Sequence, residues 1–109
     1  KAYLVNLADA DVRVYAKAQL AIEFASPTKG ELNGEEFEKE QKALQSEMAR
    51  WAPMINDHVL MTLSAMSAAE LLSADGKERL KGSVMEYLNS LPIGRQVQAV
   101  YLTDLRMGR

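Results

Sequence analysis

Residues 12–24 read VRVYAKAQLAIEF, and apolar side chains recur at every second position of this stretch. The apolar face consists of Val12, Val14, Ala16, Ala18, Leu20, Ile22 and Phe24. The opposite face is mostly polar and carries Arg13, Tyr15, Lys17, Gln19 and Glu23. Because successive side chains of a strand point to opposite faces, this period of two predicts a long β-strand with one buried face.

The segment before this strand predicts its first partner. Residues 3–7 are apolar and β-prone, and the residues at 8–11 read ADAD, a turn-like link to the long strand. Two strands joined by so short a link predict an antiparallel hairpin. On the other side of the long strand, residues 25–34 contain Pro27, Gly30 and Gly34 and are predicted to form a loop.

A helical stripe follows this loop. Asn33 with Glu36 resembles a capping box and predicts the start of a helix. The apolar stripe has spacings of three, four and once seven, and consists of Phe37, Leu44, Met48, Trp51, Ile55, Val59, Leu63 and Met66. Pro53 removes one helical hydrogen bond. Because the stripe continues across Pro53, we expect one kinked helix rather than two abutting ones, with its apolar side packed on the sheet.

Two further helices are predicted by their caps. Ser67 and Glu70 form a capping box for a short helix at residues 68–72. Ser73 with Asp75 predicts the cap of the next helix, which runs to about Leu91. The predicted buried face of that helix consists of Leu80, Val84, Tyr87, Leu88 and Leu91.

Residues 97–107 carry apolar side chains at both odd and even positions. Strands that are apolar on both faces usually lie inside a sheet, so this strand is predicted to be central. It must pair with one of the first two strands after a long helical crossover. The order β-β-α-α-α-β predicts an α+β fold, in which a small mixed sheet has helices packed on it.

Composition excludes several classes of protein. The chain has 109 residues, 48% hydrophobic and 26% charged, which is enough for one domain with its own core. Its net charge of −2 lacks the basic footprint of a nucleic-acid binder. It has no cysteine, so disulfides and thiolate metal sites are excluded. No apolar run approaches the ~20 residues of a membrane span.

Residue types that carry catalysis do not occur in a usable pattern. His58 is the one histidine, so neither a histidine metal site nor a histidine-based triad can be built. The acidic pairs Glu35–Glu36 and Asp9/Asp11 sit at element ends, where acids cap helices and make turns. No phosphate-binding glycine motif occurs. We therefore expect no enzyme activity, no cofactor and no bound metal.

The methionines and the tryptophan invite a second interpretation. The chain has six methionines, a residue type that often lines adaptable binding surfaces. Met48, Met61 and Met66 fall on or beside the helical stripe, and Trp51 lies on it. Their positions favour core packing over a ligand platform.

Five segments, in order and at matching spacing, resemble the FliL family of flagellar basal-body proteins. They are YLVNLAD at 3–9, VYAKAQL at 14–20, PMINDHVL at 53–60, LSAMSAAELLSADGK at 63–77 and VYLTDL at 100–105. The segment at 63–77 is the most specific of the five. Together they cover nearly the whole chain.

This resemblance implies a fold similar to the stomatin (SPFH) scaffold domain. It implies that residues 1–109 form a single periplasmic domain, attached to the bacterial inner membrane by one upstream helix. It also implies a non-enzymatic role in motility, in which the protein associates with the MotA/MotB stator units and self-associates into rings. Because the chain opens on Lys1 directly before a strand, we expect the anchor upstream of it.

Two other functions stay open on sequence grounds. One is a stomatin-like scaffold that organises a membrane complex outside the flagellum. The other is a small-molecule binding domain, with Trp51 and the methionines lining a pocket.

The candidate protein-contact residues are Arg50, Asn56, His58 and Arg106. The first three flank the proline irregularity of the long helix, and Arg106 lies near the end of the last strand. Side chains at such places are less committed to the core.

Overall fold

The computed structural model describes residues 2–10, 12–25 and 34–109, and the six predicted elements are found there in the predicted order. The strands are β1 (Ala2–Asn6), β2 (Tyr15–Phe24) and β3 (Val97–Gly108), and the helices are α1 (Gly34–Ser64), α2 (Ala68–Leu72) and α3 (Ala74–Ser90). The α+β class is confirmed. The predicted cap residue Asn33 and the turn residue Asp11 lie outside the described residues.

The sheet is antiparallel throughout, so the prediction of a mixed sheet is wrong. Its strand order is β1-β2-β3, and β2 pairs antiparallel with both neighbours. The helical segment between β2 and β3 begins and ends at the same end of the sheet, since the Ala25 amide donates to the Gln96 carbonyl at 2.9 Å. Because β3 starts at the end of the sheet where β2 finishes, the two neighbouring strands run antiparallel. The predicted β1–β2 hairpin is confirmed.

The central strand is β2, whereas β3 was predicted to be central and lies at an edge. Apolar residues occur at both odd and even positions of β3 for another reason, namely two register shifts against β2, at Gln19/Leu20 and at Glu23/Phe24. Each shift adds one residue to β3, so the positions that face the core change from odd to even or back again. The core-face pairs are Ala16–Met107, Ala18–Leu105, Leu20–Leu102, Ile22–Val100 and Phe24–Val97. A single covered face therefore accommodates both sets of apolar residues.

One helix passes through Pro53, as the continuous stripe predicted. Ile55, Val59 and Leu63 are buried, and α1 packs against β1 and α3. Phe37 was predicted to be on the buried stripe but is 53% exposed. The 31 residues of α1 span roughly 46 Å and the 17 residues of α3 only about 26 Å, so the partner elements do not cover the first turns of α1.

Both predicted caps of the shorter helices are present. Ser67 and Glu70 form a reciprocal capping box at α2, and the Ser73 hydroxyl accepts from the Gly76 amide at the start of α3. On α3, Leu80, Val84 and Leu88 are buried, while the predicted members Tyr87 and Leu91 are partly buried. Together with Leu63 and Leu71, the buried side chains of Leu80, Val84 and Leu88 form the interior of the domain.

The β1–β2 loop is attached to the start of α2. The Ala8 amide donates to the Met66 carbonyl at 2.9 Å, and the Ala68 amide donates to Asp9 Oδ2 at 3.0 Å. Asp9 thereby satisfies one of the amides that every helix start leaves free. These two bonds join residues nearly sixty positions apart and position the hairpin against the helical layer.

Candidate protein-contact surfaces

Arg50 and Arg106, two of the candidate contact residues, are exposed. The Arg50 guanidinium lies 5.4 Å from the centroid of the Trp51 ring. The Arg106 side chain is 78% exposed, and its Nε lies 3.4 Å from Asp104 Oδ2 on the same strand. An exposed ion pair of this kind contributes little to stability. Both arginines can therefore reach a partner without disturbing the core.

Asn56 and His58, the other two candidates, flank the buried stripe of α1 on opposite sides. Asn56 accepts a hydrogen bond from the Tyr3 hydroxyl on β1 at 2.9 Å. Burial raises the pKa of the Tyr3 phenol, so it stays protonated and able to donate. His58 faces α3, where its Nε2 lies 3.1 Å from Ser83 Oγ and its ring stacks on Tyr87 at a centroid distance of 4.2 Å. These two side chains join elements of the domain to one another.

The solvent side of α1 carries a row that we name the methionine stripe, formed by Arg50, Met54, Asp57 and Met61. Their spacing of four, three and four places them on one helical face, opposite Ile55 and Val59. Met54 is 46% exposed and Met61 is 64% exposed. The prediction that Met61 packs in the core is therefore wrong, whereas Met66 is buried as predicted.

Sequence reasoning missed Met54 and misplaced Met61, although the signal was available. Both side chains lie on the arc of α1 that lacks the other large apolar residues of the helix. Flexible thioether side chains exposed beside an arginine and an aspartate form a surface suited to contact with another protein. Of the four original candidates, Arg50 alone lies on this stripe.

An apolar groove of about 330 Å³ lies between α1 and the sheet. It is lined by Tyr3, Leu20, Ile22, Met48, Ala49, Ala52, Ile55, Asn56, Val59 and Val84. Met48 takes part in this lining, as the small-molecule interpretation requires, but Trp51 does not. The Trp51 indole nitrogen donates instead to Glu47 Oε2 at 3.2 Å.

Within residues 2–10, 12–25 and 34–109, no three histidine, cysteine or acidic side chains come together in a way that could hold a metal ion. In the same part of the chain, no helix combines the length and apolar character needed to cross a bilayer. The described surface offers side chains for contact, namely exposed methionines, arginines and aromatic rings. The structure is therefore that of a small α+β domain with apolar and charged side chains exposed on its described surface.

Comparison with known proteins assigns this domain to a family. The family described as flagellar basal body-associated protein FliL matches residues 1–107, and the chain belongs to that family. The resemblance inferred from the five sequence segments is thereby confirmed. A relative named flagellar protein FliL, from Aquifex aeolicus (strain VF5), is 28% identical over 102 residues, which are 94% of this chain and 54% of the relative. The chain thus spans about half the length of this relative.

Proposed function

We propose that this domain is a non-enzymatic contact module of the flagellar basal body that supports the MotA/MotB stator units as part of a ring-forming scaffold. The observation that carries the proposal is the family match over residues 1–107. Exposed side chains suited to protein contact add support, since a domain that acts as a scaffold must act through its surface. A fold shared with the stomatin scaffold domain is part of the same proposal.

The proposal also includes a location. An apolar helix of about 20 residues upstream of Lys1 would anchor the protein in the inner membrane and leave this domain in the periplasm. Tethering raises the effective concentration of neighbouring domains, so even weak contacts between them form at the membrane. A domain that works this way needs modest contact surfaces rather than a large apolar interface.

The methionine stripe is the surface that we assign to the stator. It combines two exposed thioethers with one cation and one anion, and none of its four side chains packs in the core. Methionine and arginine are both enriched at protein interfaces, where a few side chains supply most of the binding energy. Arg106 lies on the sheet, away from this helical face, and is kept as a separate candidate.

The test introduces a charge at Met61 in the full-length protein. We expect Met61→Glu to weaken the contact by at least about fivefold, because losing an interface side chain that supplies binding energy costs more than about 1 kcal/mol. The measurements are swimming in viscous medium and the number of stator units at each motor. Arg50→Glu is expected to act in the same direction, with a stronger dependence on salt.

Leu72→Glu is the matched control. Leu72 is 60% exposed on α2, so the same kind of substitution is made at an equally open leucine outside the stripe. Circular dichroism of both variants checks that each is folded. Met61→Glu and Arg50→Glu proteins that fold, localise and support swimming as the parent does would exclude the stripe as the stator surface.

A further inference from the structure

The two edges of the sheet differ in their protection against another strand. Natural edge strands are usually blunted by charges, prolines or bulges. β3 carries Asp104 and Arg106 and has two register shifts against β2. β1 reads AYLVN, with no charge, no proline and regular pairing along its whole length. The β1 edge therefore lacks the usual barriers to pairing.

The hydrogen-bonding pattern shows which groups of β1 face that edge. The Leu7 amide donates to the Val14 carbonyl at 2.8 Å, so Leu7 and Val14 form a hydrogen-bonded pair. Such pairs alternate along an antiparallel ladder, and the next one joins Val5 to Ala16. The amide and carbonyl of Leu4 consequently point away from β2. Ala2 and Asn6 present their backbone groups in the same direction.

Leu4 is also the most exposed of the large apolar side chains in the described part of the chain, at 67%. It lies at the centre of the five-residue strand, on the face of the sheet that the helices leave uncovered. Beside it is an open depression of about 490 Å³, lined by Leu4, Val5, Asn6 and Tyr15. An apolar side chain from outside could fill this depression.

We propose that β1 pairs with β1 of a second copy of this chain, antiparallel and about a two-fold axis through Leu4. In this arrangement Leu4 lies opposite Leu4 of the second copy, and Ala2 lies opposite Asn6. The outward amides and carbonyls of each strand satisfy those of the other, and the two sheets become one. The strand has no charge, so two identical edges meet without repulsion, and each Leu4 lies beside the depression of the other copy.

The predicted contact is small. A stable interface buries about 800 Å² on each partner, which five paired residues do not reach. The pair is therefore weak in dilute solution and forms at high local concentration, as on a membrane surface. This inference rests on the proposed membrane location for the local concentration, but it does not depend on which other protein the methionine stripe binds. A two-fold contact closes at two copies, so a ring would need a second contact between such pairs.

A cysteine cross-link tests the symmetry directly, because the chain has no cysteine of its own. In a hydrogen-bonded antiparallel pair the Cα atoms are about 5.5 Å apart, within the range that a disulfide spans. At a high concentration of the domain, we expect Leu4→Cys to form a disulfide-linked dimer at least about tenfold faster than Leu72→Cys, since pairing gives the two thiols a high effective concentration. Leu72 is a suitable reference because it is 60% exposed and lies on α2.

Two further variants fix the register. Asn6→Cys is expected to cross-link no faster than Leu72→Cys, since two Asn6 residues would be four positions apart along the strands, or about 13 Å. The double variant Ala2→Cys/Asn6→Cys should regain rapid cross-linking, because positions 2 and 6 face each other. Equal rates for Leu4→Cys and Leu72→Cys, or cross-linking of Asn6→Cys as fast as Leu4→Cys, would overturn the proposal.

Discussion

At the scale of single residues, Gly76 determines how closely α2 and α3 approach each other. Gly76 is buried in the first turn of α3 and donates its amide to Ser73 Oγ at 2.9 Å. A Cβ at this position would overlap the carbonyl oxygen of Glu70 and lie 2.6 Å from its carbonyl carbon. These are backbone atoms of α2, which cannot rotate away as a side chain can. A residue with any side chain would have to push the two helices apart.

We therefore predict that Gly76→Ala lowers the free energy of unfolding by about 1–3 kcal/mol, the usual cost of overpacking. In a domain of this size, each 1 kcal/mol corresponds to a shift of about 4–8 °C in the thermal midpoint. Thermal unfolding followed by circular dichroism measures the change.

Gly82→Ala provides the control on the same helix. Nothing lies within 4 Å of a Cβ built at Gly82, so the added methyl group meets no neighbour. Alanine is favoured over glycine inside a helix by roughly 0.5–1 kcal/mol, and we expect this variant to melt at a higher temperature than the parent. A thermal midpoint of Gly76→Ala at or above that of the parent would contradict the steric argument.

At the scale of elements, the capping box of α2 couples helix formation to ionisation. Glu70 Oε1 accepts from the Ser67 amide at 3.2 Å and from the Ser67 hydroxyl at 3.1 Å, and Glu70 Oε2 lies 3.3 Å from the Arg79 guanidinium. The hydrogen bond from the Ser67 amide is the largest cause that lowers the pKa of Glu70 below its ordinary value of 4.5. The charged carboxylate is thus the form that the folded chain prefers.

The sign of the pH dependence follows from this lowered pKa. A carboxyl group with a lower pKa in the folded state stabilises the fold above its unfolded pKa, and this contribution is lost as the pH falls through the folded pKa. We predict that the parent is more stable than Glu70→Gln at neutral pH, and that the difference shrinks below pH 4.5. Denaturant unfolding at a series of pH values measures it.

Glu86→Gln serves as the reference for this comparison, because Glu86 is an exposed acid on α3 without a capping role. Its stability relative to the parent should change little with pH over the same range. A difference between parent and Glu70→Gln that stays constant from neutral pH to acid would show that the carboxylate charge does not matter to the cap.

At the scale of the whole molecule, the domain is elongated, with extents of 55 × 25 × 22 Å. Its core lies between the helical layer and one face of a three-stranded sheet, and the opposite face of the sheet is uncovered. Only the part of α1 that passes over this core is buried. The first turns of α1 extend along the surface, where the Glu40–Arg95 ion pair at 2.7 Å attaches them to the segment before β3.

Because only part of α1 is covered, truncating side chains along its apolar stripe should lower the free energy of unfolding by different amounts. Leu63 is fully buried, so Leu63→Ala is expected to lower the free energy of unfolding by about 2–5 kcal/mol. Phe37 belongs to the same sequence stripe but is 53% exposed, and Phe37→Ala should stay within about 0.5 kcal/mol of the parent. Chemical denaturation of both variants compares them; similar costs at the two positions would show that the first turns of α1 belong to the core.

The sequence by itself determined the number, type and order of the elements, the caps at Ser67 and Ser73, and the inward face of β2. Val12 is the exception on that predicted face, because it lies before the strand begins at Tyr15 and is 48% exposed. These features depend on side-chain periodicity and on hydrogen bonds between residues a few positions apart, which a single chain displays directly. The same local evidence predicted a helix continuous through Pro53. The family resemblance, carried by five short segments, was also recoverable because each segment is a local pattern.

Only the tertiary structure decided which strand is central, which part of α1 is covered and where the candidate contact residues point. Each of the two added residues in β3 switches whether odd or even positions face the core, so a strand with one covered face resembles one with two. Asn56 and His58 bind Tyr3 and Ser83 from other elements, and Asp9 caps a helix 59 positions away. These outcomes depend on contacts between distant segments, whose energies no local pattern contains.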